Sequence, residues 1–113
     1  MSVVLYHNPK CSTSRNALAL LRERGVEPTV VEYLKTAWDR ETLERLASRT
    51  GLGLTGLLRK KEADAKVLLD TGADDEAVLA AAIAQPILIE RPIVETDKGA
   101  VIGRPVERVL EVL

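Results

Sequence analysis

The chain has 113 residues, a single cysteine, a single histidine, no phenylalanine and a formal net charge of −1. That length suits one compact domain, and so balanced a charge argues against a nucleic-acid partner held by bulk attraction. One cysteine excludes an internal disulfide framework, and one Cys with one His makes a poor zinc set, so no metal site is expected.

Val3-Val4-Leu5-Tyr6 predicts a buried strand at the start of the chain. It lacks the basic start and long apolar stretch of a signal peptide. No run approaches the ~20 apolar residues of a membrane span, so the expectation is a soluble, cytoplasmic protein that makes no membrane contact. A helix is predicted over 13–24, with apolar Ala17, Leu18, Leu20 and Leu21, and Gly25 stops it. Pro28 opens a second strand, Thr29-Val30-Val31-Glu32-Tyr33. Strand, helix and strand in so short a stretch imply a parallel pair with a right-handed crossover.

Asp39 is a good N-cap for a helix over 40–50 that ends at Gly51. Short helical pieces follow at 54–59 and 65–69. Asp74 or Asp75 then caps an alanine-rich helix over 76–84. Pro86-Ile87-Leu88-Ile89-Glu90 reads as a strand, and Ile93-Val94-Glu95-Thr96 as another. Asp97-Lys98-Gly99 is a hairpin turn and Ala100-Val101-Ile102 the returning strand. Gly103-Arg104-Pro105 leads into a last helix over 106–113, with Pro105 in its first turn. The order is βαβ, a helical insert, then ββα. No linker, repeat or low-complexity segment divides it, so 1–113 is expected to be one α/β domain.

Cys11 lies between the first strand and the first helix, in His7-Asn8-Pro9-Lys10-Cys11-Ser12-Thr13-Ser14-Arg15-Asn16. A helix N-terminus offers unpaired N–H groups and a partial positive charge, which favour thiolate over thiol and suit an oxyanion. A lone cysteine is often a small buried apolar residue. Lys10, Ser12, Thr13, Ser14 and Arg15 are poor company for a core side chain, so a reactive thiol is the better reading. His7 is either a base for the thiol or a residue that orients the loop and helps depress the thiol pKa. Asn8 and Ser14 can hydrogen-bond the loop or the thiolate. Arg59, Arg91 and Arg104 fall at the ends of predicted elements, and the last two precede prolines that restrict their backbones. Each guanidinium is suited to bidentate oxyanion binding, and together they would form a cationic pocket if they converged on Cys11.

The Cys11 loop resembles the active-site loop of the glutaredoxin-coupled arsenate reductases. Leu57-Leu58-Arg59-Lys60, Pro86-Ile87-Leu88-Ile89-Glu90-Arg91-Pro92-Ile93-Val94 and Ile102-Gly103-Arg104-Pro105 match later motifs of that family in the same order. The resemblance implies a thioredoxin-like fold with a helical insertion, its central mixed sheet flanked by helices. It implies arsenate reduction through a Cys11 adduct, with Arg59, Arg91 and Arg104 binding the oxyanion and His7 and Ser14 lowering the thiol pKa or fixing the thiolate. It implies no bound cofactor, glutathione as co-substrate and glutaredoxin as partner. Thioredoxin-like folds also make Pro92 a candidate cis-proline. The alternatives within the same fold are a thiol-redox sensor that acts through a partner surface and a glutathione-dependent thiol oxidoreductase. Related redox regulators carry Cys-x-x-Cys, but Ser14 holds the second position here, so an internal disulfide switch is impossible.

Overall fold

Apolar, partly β-branched residues build strand β1 (Val4–His7), and a 12-residue helix α1 (Ser12–Glu23) follows it. Strand β2 (Thr29–Glu32) then pairs with β1 in parallel, Val4 beside Thr29 and His7 beside Glu32. A single turn of helix, α2 (Tyr33–Thr36), begins at Tyr33, which the sequence places in the strand. The computed structural model describes residues 2–113, and they gather into two compact units. One comprises the residues up to Thr36 together with Arg91–Leu113; the other is Ala37–Glu90.

The first unit is completed by strands β3 (Ile93–Thr96) and β4 (Gly99–Ile102) and a 3-10 helix, Val106–Val112. The sheet order is β2-β1-β3-β4, with β1–β3 and β3–β4 antiparallel, so the sheet is mixed as expected. The hairpin joining β3 to β4 is tighter than the predicted three-residue turn. Thr96 pairs with Gly99, leaving only Asp97 and Lys98 in the loop, and the Lys98 N–H donates to Thr96 Oγ1. Helix α1 ends where Gly25 takes a φ of +75°; the Gly25 and Val26 N–H groups return to the Arg22 and Leu21 carbonyls. The core of this unit packs Val3, Leu5, Val94 and Val101 against Ala17 and Leu21 of α1 and Val109 and Val112 of the 3-10 helix. The closing segment is 3-10 rather than α-helical, and Pro105 is its N-cap rather than part of its first turn.

Gly103 links β4 to that 3-10 helix, and its N–H donates to the Pro92 carbonyl at 2.8 Å. A Cβ there would lie 2.8 Å from Val109 Cγ1 and 3.0 Å from Pro92 Cγ. Val109 is fully buried and cannot swing aside. Gly103→Ala is therefore expected to destabilise the fold by about 1–3 kcal/mol, the usual range for overpacking. Urea denaturation measures it, and an unchanged midpoint would refute the close approach.

The second unit holds α3 (Arg40–Thr50), α4 (Gly53–Gly56), α5 (Ala63–Asp70) and α6 (Asp75–Ala84). Asp39 caps α3 by accepting from the Thr42 N–H at 2.7 Å, and Asp74 caps α6 through the Ala77 N–H. Leu43, Leu46, Leu54, Val78, Leu79 and Ala82 are buried. The predicted strand over 86–90 is instead a 3-10 turn, Pro86–Leu88, followed by one antiparallel bridge between Ile89 and Leu58. Pro86 has no N–H to give a ladder, and its fixed φ starts a tight turn that the Leu88 N–H closes onto the Gln85 carbonyl. None of the helices among the described residues is long and apolar enough to cross a membrane.

Candidate active site

Cys11 is the N-cap residue of α1, in extended backbone conformation, and its thiol is half-buried. The preceding loop is shaped by a buried polar cluster. The Ser14 hydroxyl oxygen lies 2.7 Å from His7 Nδ1 and accepts from the Asn8 N–H at 3.0 Å. Asn8 Oδ1 accepts from the Lys10 N–H, and the Asn8 carbonyl accepts from the Cys11 N–H, both at 3.0 Å. His7, Asn8 and Ser14 are all at least 95% buried. Ser14 falls on the stripe of α1 that also buries Ala17 and Leu21, which is why a serine lies so deep. On the outer side, Arg15 Nη1 donates to the Pro9 carbonyl at 2.9 Å. The sequence offered no signal for that contact.

Two arginines reach this loop from the open end of the β3–β4 hairpin, one beyond each strand. Ile93 pairs with Ile102; continuing the register outward sets Pro92 against Gly103 and Arg91 against Arg104. Arg91 is buried. The Arg91–Pro92 and Arg104–Pro105 peptides are both cis. Arg104 donates from Nε to the Arg91 carbonyl at 2.7 Å and from Nη2 to Cys11 Sγ at 3.4 Å. One planar guanidinium thus fixes itself to the backbone and presents another edge to the sulfur, a division of labour that lysine lacks.

These contacts set the protonation of the thiol. Burial pushes the Cys11 pKa up. The Ser14 backbone N–H, a hydrogen bond from the Arg91 side chain and the charges of Arg91 and Arg104 pull it down further than burial raises it. Ser14 therefore acts on the sulfur through its main chain, while its hydroxyl is engaged with His7 and Asn8. Burial also holds His7 below the ordinary imidazole value; Glu32 opposes this, and Arg15 and Arg22 reinforce it. The ring is uncharged at neutral pH, so the positive field at the sulfur comes from arginine and the helix terminus. Iodoacetamide alkylation of Cys11 should accordingly reach half its limiting rate below the free-thiol pKa of ~8.5. A midpoint at or above that value would refute an activated thiol.

Arg59 belongs to the second unit, and its position there follows from the Leu58–Ile89 bridge. The Arg59 N–H donates to the Leu88 carbonyl and the Glu90 N–H to the Leu57 carbonyl, each at 2.7 Å. The Arg59 Nη1 then donates to Glu90 Oε1 at 2.7 Å, and Glu62 Oε1 stands 3.9 Å from Arg59 Nε. Sequence reading passed over both carboxylates. The one available signal was the strand-like run ending in Glu90, which does form a bridge, though over a single residue pair.

The model of the ArsC family matches residues 6–112. The arsenate reductase of Rhizobium meliloti is 45% identical over 115 residues, covering all of this chain and 82% of that protein. The uncharacterized protein YfgD of Escherichia coli is 46% identical over 114 residues, covering 98% of this chain and 96% of its own. Among solved structures, the arsenate reductase from Vibrio cholerae superposes with a TM-score of 0.91 at 48% identity, covering 100% of this chain and 98% of that one. The expected thioredoxin-like α/β fold is borne out by that match.

Proposed function

Since the chain belongs to the ArsC family, we propose that it is an arsenate reductase whose nucleophile is Cys11. The observation that carries the reading is the Arg104 guanidinium 3.4 Å from a thiol whose pKa is lowered at a helix N-terminus. Nucleophile and oxyanion receptor are then one site.

Arsenate binds against Arg91 and Arg104, and Arg59 enters the proposal through its motif, Leu57-Leu58-Arg59-Lys60. The Cys11 thiolate attacks arsenic; a sulfur–arsenic bond forms, an arsenic–oxygen bond breaks, and the oxygen leaves as water with protons from solvent. Electrons come from glutathione as co-substrate rather than from a resident cofactor. Its thiolate attacks Cys11 Sγ, the sulfur–arsenic bond breaks, and the electron pair stays with arsenic, which passes from As(V) to As(III). Arsenite leaves behind a Cys11–glutathione disulfide. A glutaredoxin thiol attacks the glutathione sulfur and returns Cys11 as thiolate. Cys11 is the only cysteine, so both reducing thiols come from other molecules. This dependence supports a cytoplasmic site of action, where the glutathione pool is kept reduced.

The test is arsenite production by the wild-type protein with arsenate, glutathione and glutaredoxin. Turnover that stops when glutathione is omitted is the expected result. An absence of arsenite from the complete mixture would sink the assignment. Turnover of glutathione mixed disulfides with no response to arsenate would favour a general thiol oxidoreductase instead.

A further inference from the structure

The Arg59 guanidinium is held by a carboxylate of its own unit, Glu90. In the Leu58–Ile89 bridge, Leu58 and Ile89 are buried, so the next residue on each strand, Arg59 and Glu90, turns to the opposite face. They form a diagonal cross-strand pair, which long side chains can span. The bond from Nη1 to Glu90 Oε1 is short and charge-assisted, and neither side chain is more than 21% exposed. Glu62 adds a second carboxylate beside Nε, and the Glu62 N–H ties back to the Arg59 carbonyl at 2.9 Å. Two acidic partners on an arginine meant for an oxyanion look counterproductive. Glu90 fixes the guanidinium through Nη1, and both carboxylates offset part of its charge.

We propose that Glu90 is a positioning residue: it orients the Arg59 guanidinium for the oxyanion and weakens its pull on anions. This rests on the reading of Arg59 as an oxyanion-binding residue. Orientation and charge are separable because glutamine keeps an acceptor oxygen at the same reach without the negative charge, whereas alanine removes both. Glu90→Gln therefore leaves Arg59 placed and more attractive to anions. Glu90→Ala releases it.

The experiment compares wild type, Glu90→Gln and Glu90→Ala in two assays. The first separates kcat and KM for arsenate with glutathione and glutaredoxin. The second measures the inorganic phosphate concentration that half-protects Cys11 from iodoacetamide. Glu90→Gln should lower the arsenate KM and the half-protecting concentration by about fivefold, the most that a partly exposed ion pair is commonly worth. Glu90→Ala should raise both and lower kcat. A merely structural glutamate would shift both variants the same way, along with their melting temperatures. That outcome, or values within twofold of wild type, overturns the proposal while leaving wild-type arsenate reduction standing. Failure of wild type to form arsenite sinks the broader reading instead. The phosphate assay then decides alone, and an absence of protection in wild type counts against Glu90 as well.

Discussion

Replacing Cys11 with serine should abolish arsenite formation, a loss of about 10³-fold or more, since the variant lacks the proposed covalent nucleophile. The field that ionises a thiol cannot ionise an alcohol. The Ser14 N–H and the charges of Arg91 and Arg104 draw down a thiol that starts near 8.5, whereas a hydroxyl would remain protonated. The second half of the proposed cycle fails as well, because no mixed disulfide can form on oxygen. Serine is nearly isosteric at this half-buried N-cap and is itself a preferred capping residue, so the melting temperature should hold or rise. Arsenite production by the variant at more than a tenth of the wild-type rate would mean that the sulfur is not the nucleophile.

Arg104→Lys should lower kcat/KM for arsenate by about 10²-fold, the scale of removing one preorganised donor from a developing charge. Nε now holds the Arg91 carbonyl while Nη2 holds the sulfur. A single ammonium cannot serve both with fixed geometry. Because Arg104 also helps lower the thiol pKa, the alkylation profile of Cys11 should move to higher pH in the same variant. The paired readouts identify the cause. A kinetic loss without a pKa change would confine Arg104 to substrate binding, and a kcat/KM within threefold of wild type would remove it from the mechanism.

Much of this was legible in the residues because it is local. Asp39, Asp74, Gly25 and Gly51 mark helix ends through chemistry that acts over a few residues, and each does so in the structure. The Cys11 loop announces itself by polarity between two apolar runs. What sequence order could not supply is pairing. Ile93-Val94 is apolar on both faces, so alternation fixes no register, and only the ladder reveals that Arg91 and Arg104 are partners across a hairpin. Residues 86–90 misled for a related reason. Three apolar residues in a row, Ile87-Leu88-Ile89, fit a strand or a turn equally, and Pro86 decided for the turn. The roles of Ser14 divide between its main chain and hydroxyl, a distinction that residue identity cannot express.

The hairpin that delivers Arg91 and Arg104 also determines where this chain can change length. Adding or removing one residue within β3 or β4 shifts the ladder by a step and sends the two guanidinium groups to different faces. At the tip the constraint vanishes. Asp97 lies six residues along the chain from Arg91 and Lys98 six from Arg104, about 20 Å at the usual rise. Divergence among descendants of this chain can therefore collect at the tip, while the two strands below it evolve only as a matched pair.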